Sequence, residues 1–147
     1  GPRGGPMAIV AAVDGERRPD NVVAEAAELA AAFDEDLVVF HVMPDAEFER
    51  RREEREYFVD HAAEDAAKTA QWVVAGTLDD SDRVRAEGAV GEPVTEIVDL
   101  AGEEEARYIV VGGRRRTPVG KAVFGSVTQA VLLNAGRPVV TVMTDEE

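Results

Sequence analysis

Short apolar runs alternate with stretches of helical periodicity along almost the whole chain. The runs at residues 8–13, 37–43, 108–111 and 138–142 have the length and composition of strands that are buried on both faces of a sheet. A weaker alternation of apolar and charged residues at 83–88 predicts another strand, at an edge of the same sheet. The pattern therefore predicts five strands.

Helical periodicity fills the segments between these strands. A first helix is predicted to begin at Asp20, a residue that caps helices well, and a heavily charged helical stretch runs from residue 45 to about residue 75. Further helices are predicted after Pro93 and over residues 127–135, the latter closed by Gly136. Strands that alternate with helices predict a parallel sheet covered on both faces. The expected fold is a three-layer, doubly wound α/β domain of five parallel strands.

Length and composition fit a single cytoplasmic domain. The chain has 147 residues and no cysteine, so it offers neither disulfides nor thiolate sites for metals, and a reducing compartment is expected. No apolar run approaches the roughly 20 residues that span a bilayer, and the start of the chain lacks the layout of a signal peptide. Residues 1–6 precede Met7 and resemble a remnant of expression cloning, so we expect one domain over residues 7–147.

Charge is divided unevenly along the chain. The net charge is −14, yet residues 106–144 contain no acid and six basic residues, which leaves −20 for the remainder. A field of that sign repels polyanions, so nucleic acids and anionic membranes are not expected as partners. The balance resembles that of halophilic proteins from salt-rich cytoplasms, in which salt screens the repulsion between acidic residues.

The basic residues concentrate beside glycines in the stretch from Val110 to Ser126, whose sequence is VVGGRRRTPVGKAVFGS. In doubly wound sheets ligands bind beyond the carboxyl ends of the strands, where Asp14 follows the first strand and Gly112 the fourth. Glycines let backbone N–H groups approach a ligand, and the start of the helix after Gly125 favours anions. The stretch therefore predicts a phosphate site, although it lacks the glycine and the Ser or Thr that a P-loop requires.

Each of these residues also has a purely structural interpretation. Ser126 can be an N-cap, because Gln129 three positions later would complete a capping box. Asp14 can end a strand in a turn with Gly15, and Gly112 and Gly113 can form a tight turn. Only the combination of these residues indicates a ligand-binding site.

That combination resembles the universal stress protein family. The resemblance rests on a strand that ends in Asp14, on His41-Val42, on Gly91-Glu92-Pro93, and on the pattern V-V-G…G-S-V before the last helix. It implies an adenine nucleotide alpha hydrolase-like, Rossmann-like fold with strand order 3-2-1-4-5. Members with the spacing Gly, two residues, Gly, nine residues, Gly, then Ser or Thr bind ATP. Here Arg115 occupies the second glycine position, where its side chain could either bind phosphate or block the site.

The resemblance also implies which residues contact the nucleotide. The adenine side falls on Ala12, Val13, Asp14 and Val42, with Val111 flanking the base, and the phosphate side falls on Gly112, Gly113, Arg115, Gly125, Ser126 and Val127. ATP is the expected ligand, with Mg²⁺ arriving on the nucleotide if at all, and AMP or ADP are alternatives.

A binding protein is expected in preference to an enzyme. His41 and His61 have no visible serine or carboxylate partner, so a satisfied structural role fits His41 and a solvated one fits His61. No acid/base pair of carboxylates and no cluster with metal-ligand spacing stands out. The leading hypothesis is a regulatory stress protein that binds ATP; the alternatives are a nucleotide-independent dimer whose arginines are structural or bind another anion, and, more weakly, an ATP hydrolase.

A homodimer is the expected assembly. The last strand is apolar and is predicted to lie at the sheet edge, where unpaired backbone groups invite a second chain. The resemblance implies antiparallel pairing of the two copies of this strand, through Val139, Val140, Thr141 and Val142.

Overall fold

The computed structural model describes residues 7–116 and 121–146, and within them a mostly parallel sheet lies between two layers of helices. The elements in chain order are β1 Ala8–Ala12, α1 Asn21–Phe33, β2 Asp36–Pro44, α2 Asp45–Glu54, α3 Val59–Thr77, β3 Val84–Gly91, α4 Pro93–Glu103, β4 Ala106–Arg116, β5 Lys121–Val123, α5 Ser126–Asn134 and β6 Val139–Glu146. The six predicted cloning residues and residues 117–120 and 147 lie outside the described part.

The strand order confirms the predicted doubly wound topology. Strands β3, β2, β1 and β4 are neighbours in that order, and β6, which is the predicted fifth strand, pairs in parallel with β4. The additional strand β5 is short and runs antiparallel to the end of β4. The chain is therefore wound in the predicted order 3-2-1-4-5, with a small hairpin added at one end of the sheet.

Two apolar cores hold the layers together because the central strands are buried on both faces. Alternate residues of each strand point to opposite faces. Ile9 and Val110 pack against α1 and α3 on one face, while Val10 and Ile109 pack against α4 and α5 on the other. All four side chains are fully buried, as expected from runs without polar positions.

Helix boundaries follow several of the predicted signals. The Asp20 carboxylate accepts a hydrogen bond from the Val22 N–H at 2.8 Å and caps α1, and Pro93 is the first residue of α4. Gly136 follows the end of α5 with a positive φ, the backbone conformation that glycine adopts readily. None of the helices in residues 7–116 and 121–146 has the length and apolar character to cross a membrane.

The charged stretch after β2 forms two helices, so the prediction of one continuous helix to about residue 75 is wrong. The break between α2 and α3 occurs where Tyr57 turns inward and packs, buried, against Phe48. Its hydroxyl donates a hydrogen bond to Asp65 at 2.6 Å. The ring of His61 then accepts a hydrogen bond from the Phe58 N–H at 3.0 Å and so caps the start of α3. His61 is exposed but has this structural role in addition to its contact with solvent.

The fourth strand does not stop at its glycines. The predicted tight turn at Gly112 and Gly113 is wrong, because β6 pairs with β4 without interruption from Ile109 to Arg116 and keeps the chain extended. Packing is close at position 113, where an added Cβ would lie 2.8 Å from Met143 Sδ and the Met143 side chain would have to shift. The three arginines therefore belong to a strand, with which β5 pairs in antiparallel.

The packing of α3 on β3 depends on a glycine in the edge strand. A Cβ at Gly88 would lie 2.2 Å from the backbone nitrogen of Ala67, which cannot move without displacing the helix. We predict that Gly88→Ala lowers the free energy of unfolding by about 1–3 kcal/mol, as overpacking does. Gly102→Ala is the matched control, because a Cβ on that helical residue meets nothing within 4 Å. It should stabilise by about 0.5–1 kcal/mol. Urea unfolding of both variants measures the difference, and an equal response would contradict the packing.

Candidate functional site

The main cleft lies where β4 extends beyond the end of its neighbour β1. Pairing between β1 and β4 ends at Ala11 and Val110, and pairing between β5 and β4 begins at Arg114 on the same edge. Between these points no strand of the described chain covers that edge of β4. A cleft of about 660 Å³ lies over this gap, at the carboxyl ends of the parallel strands. That is the position where doubly wound sheets bind ligands.

Most of the predicted site residues meet in this cleft. They reach it from the ends of β1, β2 and β4 and from the start of α5, which the topology brings to one edge of the sheet. The residues brought together are Ala12, Val13, Asp14, Val42, Val111, Gly112, Gly113, Gly125, Ser126 and Val127.

Arg115 is the predicted residue that the structure does not bring to the cleft. Side chains alternate along β4, so Arg115 points to the opposite face of the strand from Arg114. Its guanidinium lies 3.8 Å from the carboxylate of Asp145, the residue beside it on β6. Arg114 lines the cleft instead. Sequence reasoning missed Arg114 because the stretch was interpreted as a loop, in which no alternation is expected.

The loop after β1 forms one wall of the cleft. Asp14 Oδ1 accepts a hydrogen bond from the Glu16 N–H at 2.9 Å, a turn of the kind predicted for this residue. The other carboxylate oxygen lies 3.7 Å from Arg17 Nη2, and both side chains are more than one third exposed. A pair this exposed is weak, so both groups can exchange partners with a ligand.

Asp20 is a buried carboxylate in the same wall. Its side chain is 3% exposed, caps α1 and lines the cleft. Burial raises the pKa of the Asp20 carboxyl, against the lowering effect of the hydrogen bond from Val22, while the nearby charge of Asp14 raises it further and that of Arg17 lowers it. The Asp20 backbone N–H donates a hydrogen bond to the hydroxyl of Thr77 at 2.9 Å. This bond joins the start of α1 to the end of α3.

The floor of the cleft is apolar apart from one histidine. Phe40, Val42, Ile97 and Val111 line it and belong to the core on the α4 and α5 face. The imidazole Nδ1 of His41 lies 2.9 Å from the Val13 carbonyl oxygen. A carbonyl only accepts, so Nδ1 donates in this hydrogen bond. His41 therefore has the satisfied structural contact that was predicted for it.

The start of α5 forms the opposite wall. The N-cap is Gly125, and Ser126 is the first helical residue, so the predicted capping box is wrong. Because the helix begins one residue early, Gln129 reaches past Ser126 and donates to the Phe124 carbonyl at 2.7 Å. The Ser126 hydroxyl makes no capping hydrogen bond and lines the cleft. Thr128 Oγ1 donates to the Gly112 carbonyl at 2.9 Å and joins α5 to β4.

These features give the cleft an apolar end and a polar end. A flat aromatic group fits the apolar floor, and an anion fits near the start of α5, where free N–H groups and the helix dipole favour negative charge. Among residues 7–116 and 121–146, no group of three His, Cys, Asp or Glu side chains is arranged to hold a metal ion. The arrangement is suited to binding an amphipathic anion such as a nucleotide.

Comparisons with known proteins give a consistent family. A family model described as the universal stress protein family matches residues 7–143. A protein named universal stress protein from Mycolicibacterium smegmatis is 30% identical over 102 residues, covering 63% of this chain and 78% of that protein. The solved structure of a universal stress protein from Archaeoglobus fulgidus is 29% identical, with a TM-score of 0.60 and coverage of 92% and 97% of the two chains.

A further solved structure that is similar to this chain contains a bound nucleotide. It is the universal stress protein from Archaeoglobus fulgidus in complex with dAMP, 26% identical to this chain, with a TM-score of 0.53 and coverage of 92% of this chain and 96% of that one.

Asp20 should make stability depend on pH. Its raised pKa means that the native state binds the proton more tightly than the unfolded state. The resulting stabilisation is present below the unfolded pKa and is lost as the pH rises through the folded one. Asp20→Asn keeps a capping oxygen, so we predict that it gains stability relative to the wild type between pH 4 and pH 8. Asp20→Ala should lose about 1 kcal/mol with the cap. Thermal melting across this range tests both, and parallel curves for Asn and wild type would contradict the assignment.

Proposed function

Because the chain belongs to the universal stress protein family, we propose that it is a regulatory stress-response protein that binds ATP in the cleft between β1 and β4. We expect bound ATP to change the shape of the protein or its choice of partner. Hydrolysis of the nucleotide is not part of the proposal. The absence of cysteine favours action in the cytoplasm.

One observation carries this proposal: residues from four separate segments of the chain line one cleft. They are residues that the sequence analysis predicted for a nucleotide site. The cleft has about 660 Å³, within the usual range for small-molecule sites. Its apolar floor and its helix N-terminus suit the two ends of a nucleotide. The Archaeoglobus fulgidus relative solved with dAMP supports an adenine nucleotide as the ligand class.

The proposed placement follows from the chemistry of each wall. The adenine base lies on the apolar floor beside Val42 and Val111, with Asp14 at its edge. A carboxylate is a suitable acceptor for the exocyclic amino group of adenine. The phosphates lie towards Gly112 and Ser126, where backbone N–H groups and a hydroxyl can donate hydrogen bonds.

The protein is further proposed to act as a homodimer. Strand β6 pairs with β4 on one side only, and no described strand covers its other edge. Its apolar first half, around Val140, would expose backbone groups and apolar side chains in a monomer. Antiparallel pairing of two copies closes both edges about a twofold axis.

A serine variant tests nucleotide binding. Ser126→Ala should weaken ATP binding roughly tenfold or more, because it removes a hydrogen bond to a charged phosphate. Folding should be unaffected, since the hydroxyl caps no helix. Ser81→Ala, in the exposed loop before β3, is the control and should bind as the wild type does. Isothermal titration with ATP measures all three proteins. A wild type that binds no adenine nucleotide would leave the nucleotide-independent dimer in place of this proposal.

A charged residue in the edge strand tests the dimer. The wild type, with a chain mass of 15.8 kDa, should sediment as a dimer at micromolar concentration. Thr141→Lys places a charge in the middle of β6 and should shift the protein to monomer. Gln71→Lys, exposed on α3 near the opposite edge of the sheet, should leave the dimer intact. A monomeric wild type, even with salt screening its charge, would contradict the proposal.

A further inference from the structure

Resting on the proposed function, we infer that Arg17 and Arg114 form a guanidinium pair that binds the terminal phosphates of the nucleotide. The pair makes this site select ATP over AMP. Neither residue belongs to the glycine pattern by which the family resemblance was recognised, and Arg115, which does occupy a position of that pattern, has no part in the pair.

The position of Arg114 follows from its place on β4. It shares a face of the strand with Gly112, whose added Cβ would lie 3.1 Å from Val22 Cγ2 on α1. The side chain therefore lies on the α1 side of the sheet, the side that the loop after β1 also borders. Arg17 lies in that loop and lines the same cleft. The two guanidinium groups approach a ligand from one side, opposite Ser126.

Among the other arginines of the acid-free stretch, Arg107 and Arg137 are held in structural contacts, and Arg115 lies in a weak, exposed ion pair outside the cleft. Arg107 makes two hydrogen bonds of 2.9 Å to the buried carboxylate of Glu35. Arg137 donates to the Ala106 carbonyl at 2.8 Å, and Arg115 lies beside Asp145. Arg114 has no acidic partner within 4 Å among the side chains that the structure describes. Its charge is therefore available in the cleft.

Arg17 is held at the cleft by its neighbour in the chain. The guanidinium of Arg18 lies 5.1 Å from the centre of the Trp72 ring on α3, a cation–π contact that fixes the loop from outside. Arg17 is then left on the inner side, 3.7 Å from Asp14. If Asp14 turns to the adenine base, Arg17 loses its acidic partner and can bind phosphate instead.

Charge explains why the pair should discriminate by phosphate number. Asp14, Glu16, Asp20 and Glu47 also line the cleft, and Glu47 is paired with Arg51. The remaining acids oppose an anionic ligand, and the opposition grows with each phosphate. Guanidinium groups offset it and bind phosphate oxygens in pairs. ATP, which extends further from the base than AMP, gains most from them.

Titration of AMP, ADP and ATP into the wild type and four variants tests the pair. We expect Arg114→Ala and Arg17→Ala to weaken ATP binding roughly 10- to 100-fold, the effect of a lost charged hydrogen bond, and to change AMP binding less than about threefold. Arg115→Ala is the matched control, one residue away on the other face of β4, and should bind all three nucleotides as the wild type does. Arg114→Lys keeps the charge without the fork and should recover part of the ATP affinity. Melting curves establish that each variant is folded.

The outcomes separate this inference from the function on which it rests. Equal loss of AMP and ATP affinity in Arg114→Ala, or loss in Arg115→Ala with none in Arg114→Ala, overturns the guanidinium pair and leaves nucleotide binding standing. A wild type that binds ATP no better than AMP overturns the selectivity. A wild type that binds none of the three nucleotides overturns both proposals.

Discussion

The difference in length between two neighbouring parallel strands determines where the candidate cleft lies. β1 has five residues and ends at Ala12, whereas β4 has eleven and continues to Arg116. An uncovered strand edge has unpaired backbone groups, which must be covered by another strand, by a ligand or by water. The chain supplies β5 for the outer part of that edge, and the cleft occupies the part between. Shortening β4 to match β1 would remove both the cleft and the surface that carries Arg114.

The uneven distribution of charge along the sequence produces an uneven distribution of charge over the folded domain. The acid-free stretch forms β4, β5, α5 and most of β6, which together make one side of the domain, while every acidic residue except those at 145–147 precedes β4 in the sequence. The cleft lies on the boundary between the two, with Asp14 and Asp20 in one wall and the uncharged start of α5 in the other. The acidic residues that line the cleft therefore lie away from the wall that the start of α5 forms, which carries no acid.

Sequence patterns predicted the parts of this structure whose cause is local. Runs such as residues 8–13 are strands because only a sheet buried on both faces accommodates them, and Asp20 and Pro93 act within one helical turn of their own position. The predicted capping box failed locally, because α5 begins one residue earlier than expected, but two larger errors concern effects from distant residues. The extension of β4 is imposed by β6, the division between α2 and α3 by the burial of Tyr57 against Phe48, and neither leaves a periodic signal in the residues concerned.

The extended conformation of β4 also changes the interpretation of Arg115, which occupies the second glycine position of the family's pattern. In a flexible loop Arg115 would have to bind or block an anion, because its side chain would occupy the space of the missing glycine. In a strand its side chain lies beside Asp145 on β6, and Arg115 is not among the residues that line the cleft. A strand, however, offers fewer converging N–H groups than a glycine loop, since half of its amides are directed to β6. Beyond the start of α5, the proposed phosphate contacts would therefore depend on charged side chains, and alternation along β4 brings Arg114 to the cleft.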